Sequence, residues 1–191
     1  AATNLMTPFE LSLSRWVICS AILFIFCYSQ LKFHRQTISA NIQKLFVLGF
    51  LLALGSTFLV WSVDSTTVFN ASLLGASQPL ITLIIALIIG LEVISRLQYL
   101  GILFGLVGVF ILITEGNSDL ILNFKFNLGD ILVLAAVLFY SLYTICLVRW
   151  SIRIPGHIIM LTSSVSAALI LFPLTFIHSG SAFVQLWFDP T

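Results

Sequence analysis

The chain has 191 residues, of which 60% are hydrophobic, 13% aromatic and only 8% charged. Soluble globular domains are about one quarter charged, and a mean hydropathy of +1.14 excludes a water-soluble enzyme of this length. A net charge of +1 offers no basic face to a phosphate backbone, which excludes a nucleic-acid binder. Cys19, Cys27 and Cys146 are odd in number and lie in apolar stretches, so neither a disulfide framework nor a thiol metal site is implied.

A bilayer core of ~30 Å needs about 20 apolar residues per helix. Segments of that length occur at 11–30, 45–63, 67–91, 97–114, 129–148 and 158–177, with Arg15 and Asp130 the charges they contain. Alternation of period two is absent, which argues against a β-barrel, and no leader precedes a small-residue cleavage site. The predicted fold class is therefore all-α, a polytopic membrane helical bundle. Residues 1–9 (AATNLMTPF) read like the outer end of a preceding span, and the chain opens on Ala1, so an incomplete chain is expected.

In chain order, Arg15 comes first. An arginine at membrane depth costs ~2.5–3.5 kcal/mol on insertion scales and normally has a partner or a wet cavity. It reads either as a cavity cation that attracts an anionic group or as a side chain snorkelling outwards, towards Glu10. The loop 31–44 carries Lys32, Arg35 and Lys44, the 91–96 link Arg96, and the 149–157 link Arg149 and Arg153. These alternate connections hold six of the eight basic residues, which puts them in the cytoplasm of a cell-membrane protein. Trp61 fits an interfacial aromatic belt.

In the 67–91 span, Pro79 has no N–H for the Gly75 carbonyl, and such a break is tolerated in lipid only where neighbours or water satisfy the freed group. On a helical wheel Thr66, Asn70 and Ser77 fall within about 40° of one another, with Gln78 at the edge. That stripe faces either substrate or a neighbouring helix, where polar glue is worth ~0.6 kcal/mol per bond. Glu92 and Arg96, four residues apart, read as an interfacial pair. Gly101, Gly105 and Gly108 form a narrow stripe for close packing within the chain, or alternatively for a homodimer. Asp130 is expected to cap the N-terminus of the 129–148 helix. Within that helix Tyr140 and Thr144 share a face suited to organic cargo, an aromatic wall with a hydroxyl, while Tyr143 points elsewhere. No span carries a carboxylate in its middle, so proton coupling, if used, lies with other helices.

Aligning 7–26 with 154–173 pairs Pro8 with Pro155 and Ala21 with Ala168, in helices that the basic loops send in opposite directions, as in an inverted repeat. Thr162 and Ser163 would mirror Arg15 as neutral groups. The segments NASLLGASQPLITLIIALIIGLEVISR (70–96), GILFGLVGVFILIT (101–114) and GDILVLAAVLFYSLYTICLVR (129–149) resemble the EamA-type family of the drug/metabolite transporter superfamily. The resemblance implies ten helices in two inverted five-helix units. Residues 1–114 would then be the first repeat, its first helix largely missing, and 115–191 the start of the second. It also implies a small-metabolite permease working by alternating access, with the bilayer and a small molecule as partners and no cofactor. The expected substrate-binding residues are Arg15, Asn70, Ser77, Gln78, Tyr140 and Thr144. A non-transporting structural or assembly-factor membrane protein is the alternative. Catalysis is not expected: Asn127–Asp130 gives half of an aspartyl-protease signature without a second aspartate at membrane depth, and HExxH is absent.

Overall fold

A computed structural model describes residues 7–91, 95–114 and 127–179. Among these the chain forms α1 (Pro8–Ala40), α2 (Ile42–Ser62), α3 (Val68–Gly75), α4 (Gln78–Ile88), α5 (Arg96–Thr114), α6 (Leu128–Trp150) and α7 (Gly156–Ser179). Five stretches are long and apolar enough to cross a bilayer: α1, α2, α3–α4 taken together, α6, and Gly156–Ile177 of α7. Helix α5 occupies the predicted 97–114 span. The Glu92–Arg96 pair, the 115–126 link and both chain ends lie outside the described residues.

Helix α1 starts where Pro8 follows Thr7. The Thr7 N–H donates to Glu10 Oε2 at 2.6 Å, and Glu10 N–H to Thr7 Oγ1 at 3.4 Å, a reciprocal cap that satisfies two otherwise orphan donors. The expected 31–44 loop is largely helical: α1 continues to Ala40, and only Asn41 interrupts before α2. Residues 31–40 (LKFHRQTISA) contain neither Gly nor Pro, so nothing in them stops a helix at the membrane edge. The 33 residues make about 50 Å of helix at 1.5 Å per residue, well beyond a ~30 Å core.

The chain divides into two compact units, residues 1–60 with 150–191, and 61–149. In the first, α1 packs along α7, with Gln30 Oε1 and His157 Nε2 2.6 Å apart. Trp16 Nε1 donates to Ser56 Oγ at 2.8 Å, tying α1 to α2. A Cβ on Gly49 would lie 2.4 Å from Ser166 Cβ and 2.7 Å from the Ser163 carbonyl oxygen, so α2 meets α7 at a distance only glycine permits.

In the second unit the predicted 67–91 span is two helices. Helix α3 ends at Gly75, Ala76 and Ser77 keep right-handed backbone, and α4 begins at Gln78 with Pro79 in its first turn. Helix α4 ends on a Schellman turn: Gly90 adopts φ +67°, Leu91 N–H bonds the Ala86 carbonyl at 2.9 Å and Gly90 N–H that of Leu87 at 3.1 Å. That reversal needs a residue free to enter the left-handed region, which glycine does without strain. Among the described residues a Cβ on Gly101, Gly105 or Gly108 would meet nothing within 4 Å, so the packing expected of that stripe is not made by them. The tight glycine of this unit is Gly129, whose Cβ would come within 2.6 Å of Ser65 C and Thr66 N.

Candidate functional site

The break before Pro79 opens onto a cavity of about 790 Å³, within the 300–1,000 Å³ typical of small-molecule sites. Gly75, Ala76, Gln78 and Pro79 form its wall at the break. Leu91, folded back by the Schellman turn, Ile102 of α5 and Ile145 and Val148 of α6 add apolar surface. The polar side chains on it are Gln78, Thr82 and Thr144; among the described residues none that lines it is charged. Pro79 has no N–H, so the Gly75 carbonyl loses its helical donor at the cavity wall.

Helices α4 and α6 are joined beside this space. Thr82 Oγ1 lies 2.8 Å from the Gln78 carbonyl and 3.0 Å from Ser141 Oγ, and Ser141 Oγ lies 3.5 Å from the same carbonyl. Thr144 returns its hydroxyl to the Tyr140 carbonyl at 3.0 Å, the back-bond by which a threonine satisfies itself within a helix.

At the start of α6 sits a buried carboxylate, Asp130. Asn127 is the N-cap of α6: its Oδ1 accepts Asp130 N–H at 3.0 Å, and its own N–H reaches Asp130 Oδ2 at 2.8 Å. Asp130 is thus the third-position half of a capping box, where the Nδ2 of Asn70 also lies 3.2 Å from each carboxylate oxygen. The Thr66 hydroxyl donates to Oδ1 as well. This cluster fastens the α2–α3 link and the first turn of α3 to the start of α6. Two walls of the cavity are thereby held in register by groups that do not line it.

The EamA-like transporter family model matches residues 1–114, more than half the chain. The chain belongs to the EamA-like transporter family. It is 26% identical over 130 residues to the uncharacterized transporter YyaM of Bacillus subtilis, covering 68% of this chain and 43% of that protein. It is 34% identical over 83 residues to an uncharacterized transporter of Methanothermobacter thermautotrophicus, covering 44% of this chain and 24% of that protein. The chain therefore spans less than half the length of these curated relatives. No solved structure matches. Membership and the membrane-length helices together make this EamA-like chain a multi-pass membrane protein.

Of the residues picked out from the sequence of this EamA-like chain, Gln78 and Thr144 come together on the cavity wall. Ser77 stands one residue before Gln78 and gives its hydroxyl to the Leu74 carbonyl. Asn70 is buried on Asp130, and Tyr140 is half-buried one turn before Thr144. Arg15 lies in the other compact unit, exposed on α1, while Glu10 is engaged by the α1 cap. Thr162 bonds back to the Ile158 and Ile159 carbonyls, and the buried Ser163 hydroxyl has no partner among the described residues. Thr82 and Ser141 were not among the expected substrate-binding residues. A Thr four residues after Gln78 on a proline-broken helix was the one available hint.

Proposed function

We propose that the chain is part of a transporter that moves small polar or amphipathic metabolites across the cell membrane by alternating access, with its substrate path through the cavity at the α3–α4 break. The observation that carries this reading is the cavity itself. A membrane-spanning helix is interrupted beside a space large enough for a metabolite, and the wall combines apolar surface with Gln78 and Thr144. Interrupted helices with freed backbone groups are how many transporters build binding sites near the bilayer midplane. The family match over 1–114 supports reading that segment as the first inverted repeat and the remainder as the start of the second. The basic residues of 31–44, 91–96 and 149–157 support a cytoplasmic position for those segments. The role is transport without bond-making chemistry, and no cofactor is required.

The test is counterflow of a metabolite panel by the full-length protein in liposomes. Wild type accumulates at least one compound. Ala76→Trp, which fills the cavity, abolishes that uptake, whereas Ile84→Trp on the exposed face of α4 retains it. Normal uptake by Ala76→Trp would place the path elsewhere.

A further inference from the structure

We infer that the cavity at the α3–α4 break selects neutral, amphipathic molecules through their hydrogen-bond donors and rejects carboxylates and phosphates; this rests on the cavity being the substrate path. A hydroxyl has one proton and two lone pairs. The protons of Thr82 and Ser141 are held within the trio of Thr82 Oγ1, Ser141 Oγ and the Gln78 carbonyl, whose separations are 2.8, 3.0 and 3.5 Å. The Thr144 proton goes to the Tyr140 carbonyl at 3.0 Å. What both threonines have left for a ligand is lone pairs. The Gly75 carbonyl, deprived of its donor by Pro79, adds a further acceptor on the same wall.

Among the described lining residues, the side chain that brings N–H donors against these acceptors is the Gln78 amide. An anion entering the cavity would meet oxygen lone pairs on most of these polar positions and no cation among these residues. A cation would find no carboxylate among them either. Either charge would lose its hydration without a counter-ion, a cost that hydrogen bonds to neutral groups do not offset. A neutral N–H or O–H on an apolar body satisfies the buried acceptors, and that body fills the apolar remainder.

Isomeric probes separate donor recognition from size: 3-methylindole keeps its ring N–H, 1-methylindole lacks it, and benzoate supplies an anion. Binding is measured by scintillation proximity on purified full-length protein. The expected result is 3-methylindole about tenfold tighter than 1-methylindole, the worth of one satisfied hydrogen bond, with benzoate failing to compete. Thr82→Val and Thr144→Val each bring the two isomers' affinities closer together. Equal affinities, benzoate binding tighter than 3-methylindole, or binding of none of the three would overturn the donor rule. Ala76→Trp separates the two levels of failure. If it abolishes binding of probes that show no isomer preference, the cavity stands and the donor rule falls. If binding survives it, the cavity reading falls as well.

Discussion

Asp130 shows what one side chain does when its partners are distant in sequence. A buried carboxylate needs its acceptor sites filled, and here Thr66, Asn70 and the Asn127 backbone fill them. Hydrogen bonds to a charged group are worth ~1.5–3 kcal/mol each. Asp130→Asn keeps the shape but puts an amide NH₂ where one carboxylate oxygen accepted, facing either the Asn127 N–H, which can only donate, or the Thr66 hydroxyl, which must turn round to accept. We expect it to lower stability by at least about 2 kcal/mol, read as a shift in the unfolding midpoint of the purified protein; an unchanged midpoint would remove the hub. The sequence placed the cap at Asp130, three residues late: Asn127 is the N-cap and Asp130 answers it from the third position of the helix. The sequence could not indicate Thr66 and Asn70, which lie 64 and 60 residues away. Ser151 is a simpler case: it closes α6 at φ +43°, a region costing a non-glycine residue ~1–2 kcal/mol. Ser151→Gly should raise stability by about 1 kcal/mol in the same assay.

At the scale of elements, the spans were legible because twenty-residue apolar runs have few alternatives, and Pro79 announced the break between α3 and α4. The helical wheel drawn through that break was less informative, since it treats Asn70 and Ser77 as one continuous face. The break separates them, leaving Asn70 on Asp130 and Ser77 beside the cavity wall. Glycine spacing was less informative. Among the described residues nothing meets the regular Gly101–Gly105–Gly108 pattern, whereas Gly49, outside any such pattern, sits against α7 backbone. Spacing reveals which helix face is small but says nothing of what lies opposite. Opposite signs follow for one substitution type. Gly49→Ala forces α2 from α7 at a cost of ~1–3 kcal/mol, while Gly105→Ala gains ~0.5–1 kcal/mol from helix propensity. Unfolding midpoints of the two variants decide this, and a stabilised Gly49→Ala would contradict the packing described. Gly90→Ala, at φ +67°, loses ~1 kcal/mol and displaces Leu91 from the cavity wall.

For the molecule as a whole, composition and apolar span length were enough to reveal a helical membrane protein, and ordered motifs indicated its family. The cavity was only half visible. Gln78 and Thr144 could be named from the sequence, but the Thr82–Ser141 link needs α4 and α6 side by side, which no local pattern encodes. Leu91 enters the cavity through a turn whose consequence is equally three-dimensional.

The proposed path puts water against the Thr82 face of α4 and none against the exposed Ile84 face. The direct measurement is the rate of N-ethylmaleimide modification in membranes of single-cysteine proteins at Thr82 or Ile84, with Cys19, Cys27 and Cys146 replaced by serine. Only the thiolate reacts, and a thiolate forms where water reaches it. Rapid modification is expected at Thr82→Cys, and protection at Ile84→Cys until detergent is added. Modification of Ile84→Cys as fast as that of Thr82→Cys would contradict the proposed path.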